Sequence, residues 1–296
     1  MMHLQTDAYR VEAFFDPATS SLSYLLLDRA TQACALIDAV LDYQPATGHT
    51  STLNADRMIA RVGELAARVE WILETHVHAD HLSAASYLKQ ALGGRIGIGA
   101  RVVEVQAAFS RWFPGTADTA PFDELFGDGR SIELGDLSLE VLHTPGHTPA
   151  CVSYLLGDQD QPLAFVGDTL FSPDYGTARC DFPGGDARTL YRSIQQLLRL
   201  PEHTWLLLCH DYRPEGRPLQ WHTTVAEQRA GNLHANASIC EEAFVQMRQA
   251  RDATLSMPAL IVPAVQVNLR GGQLPAQDAK GLRYLRIPLN SFKGNP

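Results

Sequence analysis

Four short stretches of the 296-residue chain place histidine or aspartate directly after an apolar run. They are THVHADH at 75–81, HTPGHT at 143–148, GDTLF at 167–171 and CHDY at 209–212. Each follows a segment with the composition of a β-strand. Loops at strand ends, held by a rigid sheet, bring metal-binding side chains together easily. The sequence therefore predicts one metal site built from several strand ends.

These stretches contain seven residues whose burial would be costly without a cation. Carboxylates and imidazoles gathered away from water lose hydration, and their pKa values shift until most are neutral. A bound divalent ion removes that penalty. Single histidines such as His143 and His203 carry no such implication and are interpreted as structural. The seven residues, called the ligand cluster below, are His76, His78, Asp80, His81, His147, Asp168 and His210.

The residue types of the ligand cluster indicate catalysis rather than a structural zinc site. None of the seven is a cysteine, and imidazole with carboxylate suits zinc, iron or manganese. His76 and His78 are two positions apart, so they cannot share one face of a helix. We therefore expect them in an extended segment or loop, unlike the HExxH helix of zinc proteases.

Alternating strand and helix patterns provide the elements that would position the cluster, and they predict a mixed α/β layered fold. Strands are predicted at RVEAFFD, SYLLLD, CALID, EWILET, RIGIG, LSLEVLH, ACVSYLLGD, PLAFVGD and WLLLCH. Helices are predicted at NADRMIARVGELAARV with Asn54 as N-cap, at SYLKQAL capped by Ser83, at ARTLYRSIQQLLRL and at EEAFVQMRQARDAT. Near the C-terminus, VPAVQVNL and GLRYLRIPL are predicted to be extended.

Composition narrows the partners that the protein could have. Acidic residues outnumber basic ones 33 to 24, the formal charge is -9, and Lys and Arg form no cluster. Nucleic acid and anionic membranes are therefore not expected as partners. No apolar run reaches the ~20 residues of a membrane span, and MMHLQTDAYR lacks the features of an export signal. We expect a soluble, cytoplasmic protein whose five scattered cysteines are reduced.

The series HxHxDH, PGHT, GDTLF and HDY, in this order, resembles the motifs of the metallo-β-lactamase superfamily, from about Arg10 to Asp211. The resemblance implies an αββα sandwich of two mixed sheets flanked by helices, with the metal site at one edge. Residues 1–255 would form this catalytic domain, and residues 256–296 a C-terminal extension packed on it. It also implies metal-ligand roles for the seven residues of the ligand cluster.

Within the superfamily, the chain resembles the persulfide dioxygenases, the group of the ethylmalonic encephalopathy protein. The resemblance implies one Fe(II) per chain, bound by His76, His147 and Asp168 in a triad that leaves three coordination positions open. A persulfide of glutathione or of a related small thiol would react there with O₂ to sulfite and thiol, in sulfide detoxification. The stretches that carry it are THVHADHLSAASYLK, HTPGHTPACVSYLLGD, FVGDTLFSPDYGTARCDFPGGDARTLYRSI, LLLCHDY and VPAVQVNLRGG.

Two other functions fit the same residues. A glyoxalase II-like hydrolase of glutathione thioesters would bind Zn(II), one or two ions per chain, with Asp168 as the bridge between two. The remaining residues of the cluster would then hold the second ion, whereas in the dioxygenase they orient ligands or water through hydrogen bonds. Those residues are His78, Asp80, His81 and His210. The alternative from another class is a non-catalytic, metal-dependent sensor, which would show no substrate-dependent oxygen uptake.

Further candidates for substrate binding lie outside the ligand cluster. Arg179 follows Asp168 in a Tyr- and Gly-rich loop, where its guanidinium could pair with a glutathione carboxylate. Cys180 is expected to be a small buried residue. The aromatic loop 110–129 would fold over the site or bury its rings against a second subunit of a homo-oligomer. The candidate substrate-binding residues are Tyr175, Arg179, Tyr212 and Arg270.

Overall fold

The first of two main β-sheets has seven strands in the computed structural model, which describes residues 2–158 and 160–291. In spatial order they are Met2–Gln5 (β1), Tyr9–Asp16 (β2), Ser21–Asp28 (β3), Ala33–Ile37 (β4), Arg68–Leu73 (β7), Arg95–Gly99 (β9) and Glu124–Phe126 (β10). Strands β1 to β4 pair antiparallel. The neighbours β4, β7, β9 and β10 are parallel, so the sheet is mixed.

The second sheet has six strands, and it is also mixed. In spatial order they are Ser131–Leu134 (β11), Leu137–His143 (β12), Val152–Leu156 (β13), Leu163–Phe165 (β14), Trp205–Leu207 (β15) and His222–Thr224 (β16). Only β14 and β15 pair in parallel. Three short strands, Val40–Gln44 (β5), His49–Ser51 (β6) and Leu82–Ser83 (β8), form a small third sheet.

Helices cover the outer faces of both main sheets. The first sheet packs against Leu53–Glu64 (α1), Ala85–Leu92 (α2), Val102–Ser110 (α3) and Ile261–Asn268 (α7). The second sheet packs against Ala187–Leu197 (α4), Val225–Gly231 (α5) and Glu241–Asp252 (α6). The αββα sandwich implied by the motifs is thereby confirmed. No helix in the described part of the chain is long and apolar enough to span a membrane.

Strand β3 shows why both faces of the first sheet are covered. Successive side chains of a strand point to opposite faces. Leu22, Tyr24 and Leu26 belong to the core between the two sheets. Leu25 and Leu27 belong to the core under the helices. All eight residues of β3 are buried, so its apolar residues follow one another in YLLL instead of alternating with polar ones.

The two proposed helix caps were displaced by tertiary contacts. Helix α1 begins at Leu53, so Asn54 lies in its first turn rather than at the N-cap. The Asn54 side chain donates instead to the Asp42 carboxylate (2.7 Å). Helix α2 begins at Ala85 with Ala84 at the N-cap position. Ser83, in β8, still accepts a hydrogen bond from the Ala85 N–H (3.0 Å), so it satisfies one donor of the first turn.

The expectation of extended structure near the C-terminus was wrong. VPAVQVNL lies in α7, and its valines pack in the core under the helices. Tertiary packing overrides the β-propensity of valine here, and Pro263 is tolerated because the first-turn N–H groups need no helical partner. GLRYLRIPL forms no strand, and Arg286 is bound through its backbone to the Gln266 side chain. The final residues of the predicted extension, 292–296, lie outside the described residues.

Three of the four aromatic rings expected in the loop 110–129 are buried within the chain itself. Phe113 and Phe122 pack in the core under the helices, and Phe126, in strand β10, packs between the sheets. None of these rings is among the described residues that line the cavity beside the ligand cluster. They are buried within their own chain, so they need neither a lid position nor a second subunit.

Candidate metal centre

The ligand cluster lies at one edge of the sandwich because parallel strands end on the same side. The HVHADH loop follows β7, whose parallel neighbour β4 is followed directly by Asp38. His147 lies in the loop between β12 and β13. Asp168 lies in a 3₁₀ turn, Gly167–Thr169, after β14, and His210 follows the parallel strand β15. Both sheets therefore contribute ligands to one site.

Three residues form the set expected to bind iron. One ligand atom each from His76, His147 and Asp168 can be chosen so that all three lie within 4.8 Å of one another. The distance to Asp168 Oδ2 is 3.7 Å from His76 Nε2 and 3.5 Å from His147 Nε2. Two ligand atoms 2.1 Å from a shared ion at octahedral or tetrahedral angles would be roughly 3–3.4 Å apart. The ligand atoms of the three side chains are thus slightly farther apart than they would be around a bound ion.

The other carboxylate oxygen of Asp168 faces a second group of residues. His210 Nε2 lies 3.3 Å from Asp168 Oδ1 and 3.3 Å from Asp80 Oδ2. His81 Nδ1 lies 3.4 Å from the same Asp80 oxygen. Asp168 therefore stands between two ligand groups, as a residue that bridges two ions would.

Unsatisfied polar atoms show that the cluster fits a metal ion. A buried polar atom without a hydrogen bond costs about 1–3 kcal/mol, and such atoms are rare in folded proteins. Among the described residues, eight buried side-chain atoms have no hydrogen-bond partner, and five of them belong to the ligand cluster. A bound cation would satisfy those of the five that coordinate it. The five atoms are His76 Nε2, His78 Nδ1, His81 Nε2, His210 Nε2 and Asp168 Oδ1.

The opposite ring nitrogens of three histidines are held by oxygen atoms. His76 Nδ1 lies 3.0 Å from the Thr75 hydroxyl, and His147 Nδ1 lies 2.7 Å from the Arg179 carbonyl oxygen. His210 Nδ1 lies 3.3 Å from the Ser20 carbonyl oxygen. An N–H at Nδ1 that donates to oxygen leaves a lone pair on Nε2, the usual arrangement in metal-binding histidines.

The electrostatics of His76 favour the form that binds metals. Burial lowers the pKa of His76 well below its ordinary value, and the neighbouring His78 and His147 lower it further. The ring is therefore neutral near pH 7. Only a neutral imidazole has a lone pair to give to a cation.

Asp38 is a functional residue that the sequence reasoning missed. It is the last residue of the predicted strand CALID, and its buried carboxylate accepts from the Thr75 N–H (2.8 Å). It also lies 3.1 Å from His78 Nε2. Although burial opposes both charges, Asp38 raises the pKa of His78 well above its ordinary value, and His78 lowers that of Asp38. Asp38 thus orients His78 so that its Nδ1 faces the cluster.

Gly167 explains why the GDT motif contains a glycine. Its φ is +51°, and a Cβ there would lie 2.7 Å from the Thr75 hydroxyl oxygen. A side chain would therefore push the turn that holds Asp168 away from the segment that holds His76. Glycine at this position allows the two ligand-bearing segments to approach each other.

A cavity of about 240 Å³ opens beside the triad. His147, Asp168 and Asp80 line its inner end, and aromatic rings line its wall. Tyr175 and Tyr212 are among them, with ring centroids 4.5 Å apart, and the Tyr212 ring stacks on His210. Both tyrosines proposed for substrate binding are therefore placed at this cavity.

The two proposed substrate-binding arginines have different surroundings. Arg179 lines the cavity, but its guanidinium pairs with Asp181 (2.6 Å) and donates to the Ser256 carbonyl oxygen. Arg270 is not among the described residues that line the cavity, and it donates to the carbonyl oxygens of Gln266 and Gln273. Arg179 is thus committed to an internal ion pair, and Arg270 lies away from the cavity wall.

Helix α6 provides two cavity-lining arginines that the sequence reasoning missed. Arg248 is fully buried and paired with Asp252 (2.6 Å). Arg251 is exposed, and no hydrogen bond or ion pair of its guanidinium is found among the described residues. Their spacing on α6 puts both on the side that faces the site. The helix was visible in the sequence, but its position relative to the metal loops was not.

The thiols near the site are not reactive groups. Cys180 is buried as expected, and burial raises its pKa well above the ordinary value. Burial likewise raises the pKa of Cys151 to about 12 and that of Cys209 well above its usual range. All five cysteines are free, and only Cys240 is exposed. At neutral pH the buried thiols therefore remain protonated and weakly nucleophilic.

The chain belongs to the metallo-β-lactamase superfamily, whose family model matches residues 17–210. A probable metallo-hydrolase of Burkholderia pseudomallei is 56% identical over 292 residues, 95% of this chain and 99% of that protein. Glyoxylase B2 of Dictyostelium discoideum is 44% identical over 289 residues, 96% of this chain and 98% of that protein. The predicted superfamily is confirmed.

Persulfide dioxygenases are also among its relatives, as the motifs suggested. The mitochondrial persulfide dioxygenase ETHE1 of Mus musculus is 33% identical over 259 residues, 87% of each chain. The crystal structure of ETHE1 from Myxococcus xanthus superimposes with a TM-score of 0.71 and 30% identity, covering 89% of this chain and 99% of that one. The ligand cluster and the family together imply a bound metal ion.

Proposed function

We propose that the protein is an Fe(II)-dependent persulfide dioxygenase. The observation that carries the proposal is the set His76, His147 and Asp168, two imidazoles and one carboxylate, of which His147 and Asp168 line the cavity. This donor set, with open positions, is the one used by non-haem iron oxygenases. The relationship to persulfide dioxygenases supports the same assignment.

The proposed reaction converts a persulfide, O₂ and water into sulfite, thiol and two protons. The outer sulfur is oxidised by four electrons, both O₂ atoms enter sulfite, and the S–S bond breaks to release the thiol. Iron, when bound, would hold the persulfide and O₂ side by side and allow the spin change that their reaction requires. The substrates are small molecules, and glutathione persulfide is the proposed persulfide.

The protein's own residues have two tasks in this reaction. Thr75 and the Arg179 carbonyl group orient His76 and His147 with Nε2 toward Asp168. The rings of Tyr175 and Tyr212 form a wall that separates the reacting sulfur from bulk water. Rigid support of this kind keeps the reacting groups within reach of each other.

A dinuclear hydrolase of glutathione thioesters is the second candidate, and specific contacts favour it. Asp80 lies 3.4 Å from His81 and 3.3 Å from His210, and His210 lies 3.3 Å from Asp168, so carboxylate and imidazole groups for a second ion adjoin the triad. The relationships to glyoxylase B2 and to the probable metallo-hydrolase point the same way. In that reaction, with one or two Zn(II) ions, a metal-activated water would attack the thioester carbonyl.

One purification distinguishes the candidates. The protein is isolated without oxygen, and iron and zinc are measured per chain. O₂ consumption with glutathione persulfide and cleavage of a glutathione thioester are then followed in parallel. One iron per chain with persulfide-dependent O₂ uptake and sulfite release supports the dioxygenase. Two zinc ions with thioester cleavage and no O₂ uptake would replace it with the hydrolase, and metal without either activity would indicate the sensor.

A further inference from the structure

Asn268, the last residue of α7, connects the C-terminal segment to the metal-binding loop. Its side chain is 4% exposed. Its Nδ2 donates to the carbonyl oxygens of His78 and His81, both at 2.8 Å. Its Oδ1 accepts from the Ser83 N–H at 2.7 Å. One side chain therefore satisfies three backbone groups of a loop 185 to 190 residues earlier in the chain.

The loop has little other backbone support. Within the described chain, residues 76–81 form no backbone-to-backbone hydrogen bond. Buried carbonyl groups without partners are costly, so the loop would otherwise shift to reach water or other donors. Such a shift would move His78, Asp80 and His81 together, because all three lie in the segment that Asn268 spans.

A second contact shows that the C-terminal segment is seated on this loop. Gly272 has φ +80°, and a Cβ there would lie 2.8 Å from the Ser83 carbonyl oxygen and 3.1 Å from the Ala85 nitrogen. Only glycine permits this approach. Residues 268–272 therefore pack directly on residues 83–86, and Asn268 is held in place from both sides.

We propose that Asn268 is a positioning residue for the metal centre, so that the C-terminal segment is part of that centre rather than an appendage. It keeps the backbone of His78 and His81 in the conformation that directs their side chains, with that of Asp80, into the ligand cluster. The inference rests on the proposed metal centre but not on the chemistry that occurs there. Aspartate cannot substitute, because a carboxylate would face two carbonyl oxygens.

The test compares two buried amides in the full-length protein. N268D removes the Nδ2 group that donates to the loop. N268S replaces it with a hydroxyl on a shorter side chain. Gln106 provides the matched control: it is buried, and its Nε2 donates to the carbonyl oxygens of Asp118 and Leu269, both at 3.0 Å, without touching the metal loop. Q106E removes a similar pair of hydrogen bonds, one of which is made to Leu269, the residue that follows Asn268.

Metal affinity and stability are measured for each protein. Fe(II) and Zn(II) dissociation constants come from chelator competition, the visible spectrum of the Co(II) form reports ligand geometry, and thermal unfolding is followed without metal. We expect N268D and N268S to bind metal about 10- to 100-fold more weakly with an altered Co(II) spectrum. Q106E should keep the metal affinity and the Co(II) spectrum of the wild type, even if its unfolding temperature falls as much as that of the Asn268 variants.

Two results would overturn the inference. One is metal affinity and a Co(II) spectrum unchanged in N268S, which folds with the smallest disturbance. The other is equal loss of affinity in Q106E, because a general loss of stability would then explain the effect. Failure of the proposed function looks different: a wild type that binds metal without persulfide-dependent O₂ uptake refutes the dioxygenase and leaves this comparison of affinities valid.

Discussion

Two clusters of buried polar groups border the same cavity, and they differ in how their atoms are paired. In the ligand cluster, five buried side-chain atoms have no hydrogen-bond partner. In the second, called the wall cluster, Arg248, Asp252, His234 and Thr177 are paired with one another. Arg248 Nε donates to Asp252 (2.9 Å) and its Nη1 to the Thr177 carbonyl oxygen (3.1 Å), and His234 Nδ1 accepts from the Thr177 N–H (3.1 Å).

This difference indicates that the ligand cluster binds a ligand and that the wall cluster supports the fold around it. Unpaired buried atoms lower stability unless a ligand satisfies them. Paired buried charges cost little while both partners remain, and much when one is removed. Substitutions in the ligand cluster should therefore abolish metal binding without unfolding the protein. Substitutions in the wall cluster should lower the stability of the protein without abolishing metal binding.

Asp168→Ala should show the largest effect. Both ligand groups share this carboxylate, so its loss should remove the metal. A metal ion stabilises the charge of a transition state by several kcal/mol, so the rate should fall at least about a thousand-fold. The metal-free variant should unfold at the same or a higher temperature than the metal-free wild type, because one unpaired buried atom is gone. Metal content, O₂ uptake and unfolding are measured beside Asp7→Ala, an exposed control. Retained iron in Asp168→Ala would refute the assignment of the ligand.

Arg248→Met tests the wall cluster. It leaves the Asp252 carboxylate buried without its cation, which should lower the free energy of unfolding by about 3–5 kcal/mol. The double variant Arg248→Met/Asp252→Leu should recover most of that loss. Arg192→Met, which breaks an exposed pair with Glu241, should cost less than about 1 kcal/mol. Denaturant titration measures the free energy of unfolding of the wild type and the three variants. If Arg248→Met lost its metal without losing stability, the distinction between the two clusters would be wrong.

His234 adds a pH dependence to the wall cluster. Burial, together with Arg248 and Arg251, lowers its pKa to about 4. The unfolded chain takes up the proton near pH 6.5, whereas the folded protein resists protonation. His234 should therefore lower stability as pH drops from about 6.5 to 4, by at most about 3 kcal/mol, and His234→Asn should lose this contribution and show a shallower slope than the wild type. Unfolding at several pH values measures the difference. The exposed His203→Asn should keep the slope, and equal slopes in wild type and His234→Asn would contradict the expectation.

Tyr212→Phe should have the smallest effect. The ring packing on His210 and Tyr175 is kept, and only a hydroxyl at the cavity is lost. A neutral hydrogen bond contributes about 0.5–1.5 kcal/mol, so kcat/KM should fall about two- to tenfold with metal content unchanged. Tyr212→Ala removes the wall as well and should lower kcat/KM further. A phenylalanine variant as impaired as the alanine variant would show that the hydroxyl, and not the ring, is what matters.

Short-range motifs made much of the site predictable. The residues of THVHADH, PGHT and GDTLF carry their own chemistry, and their positions after strands indicated that they would meet. The strands were visible because buried β-strands contain short apolar runs without alternation, such as YLLL in β3. Helix α7 was mistaken for an extended segment, since its valines favour strands when tertiary contacts are unknown.

The sequence by itself determined which groups could bind a metal ion, because the types and spacing of His76, His147 and Asp168 are local properties of the chain. Only the tertiary structure decided which groups support them. Asp38, Arg248 and Asn268 act on partners 40, 71 and up to 190 residues away. Burial and pairing arise from contacts between distant segments. An aspartate, an arginine or an asparagine in a polar stretch has no local pattern that reveals its partner.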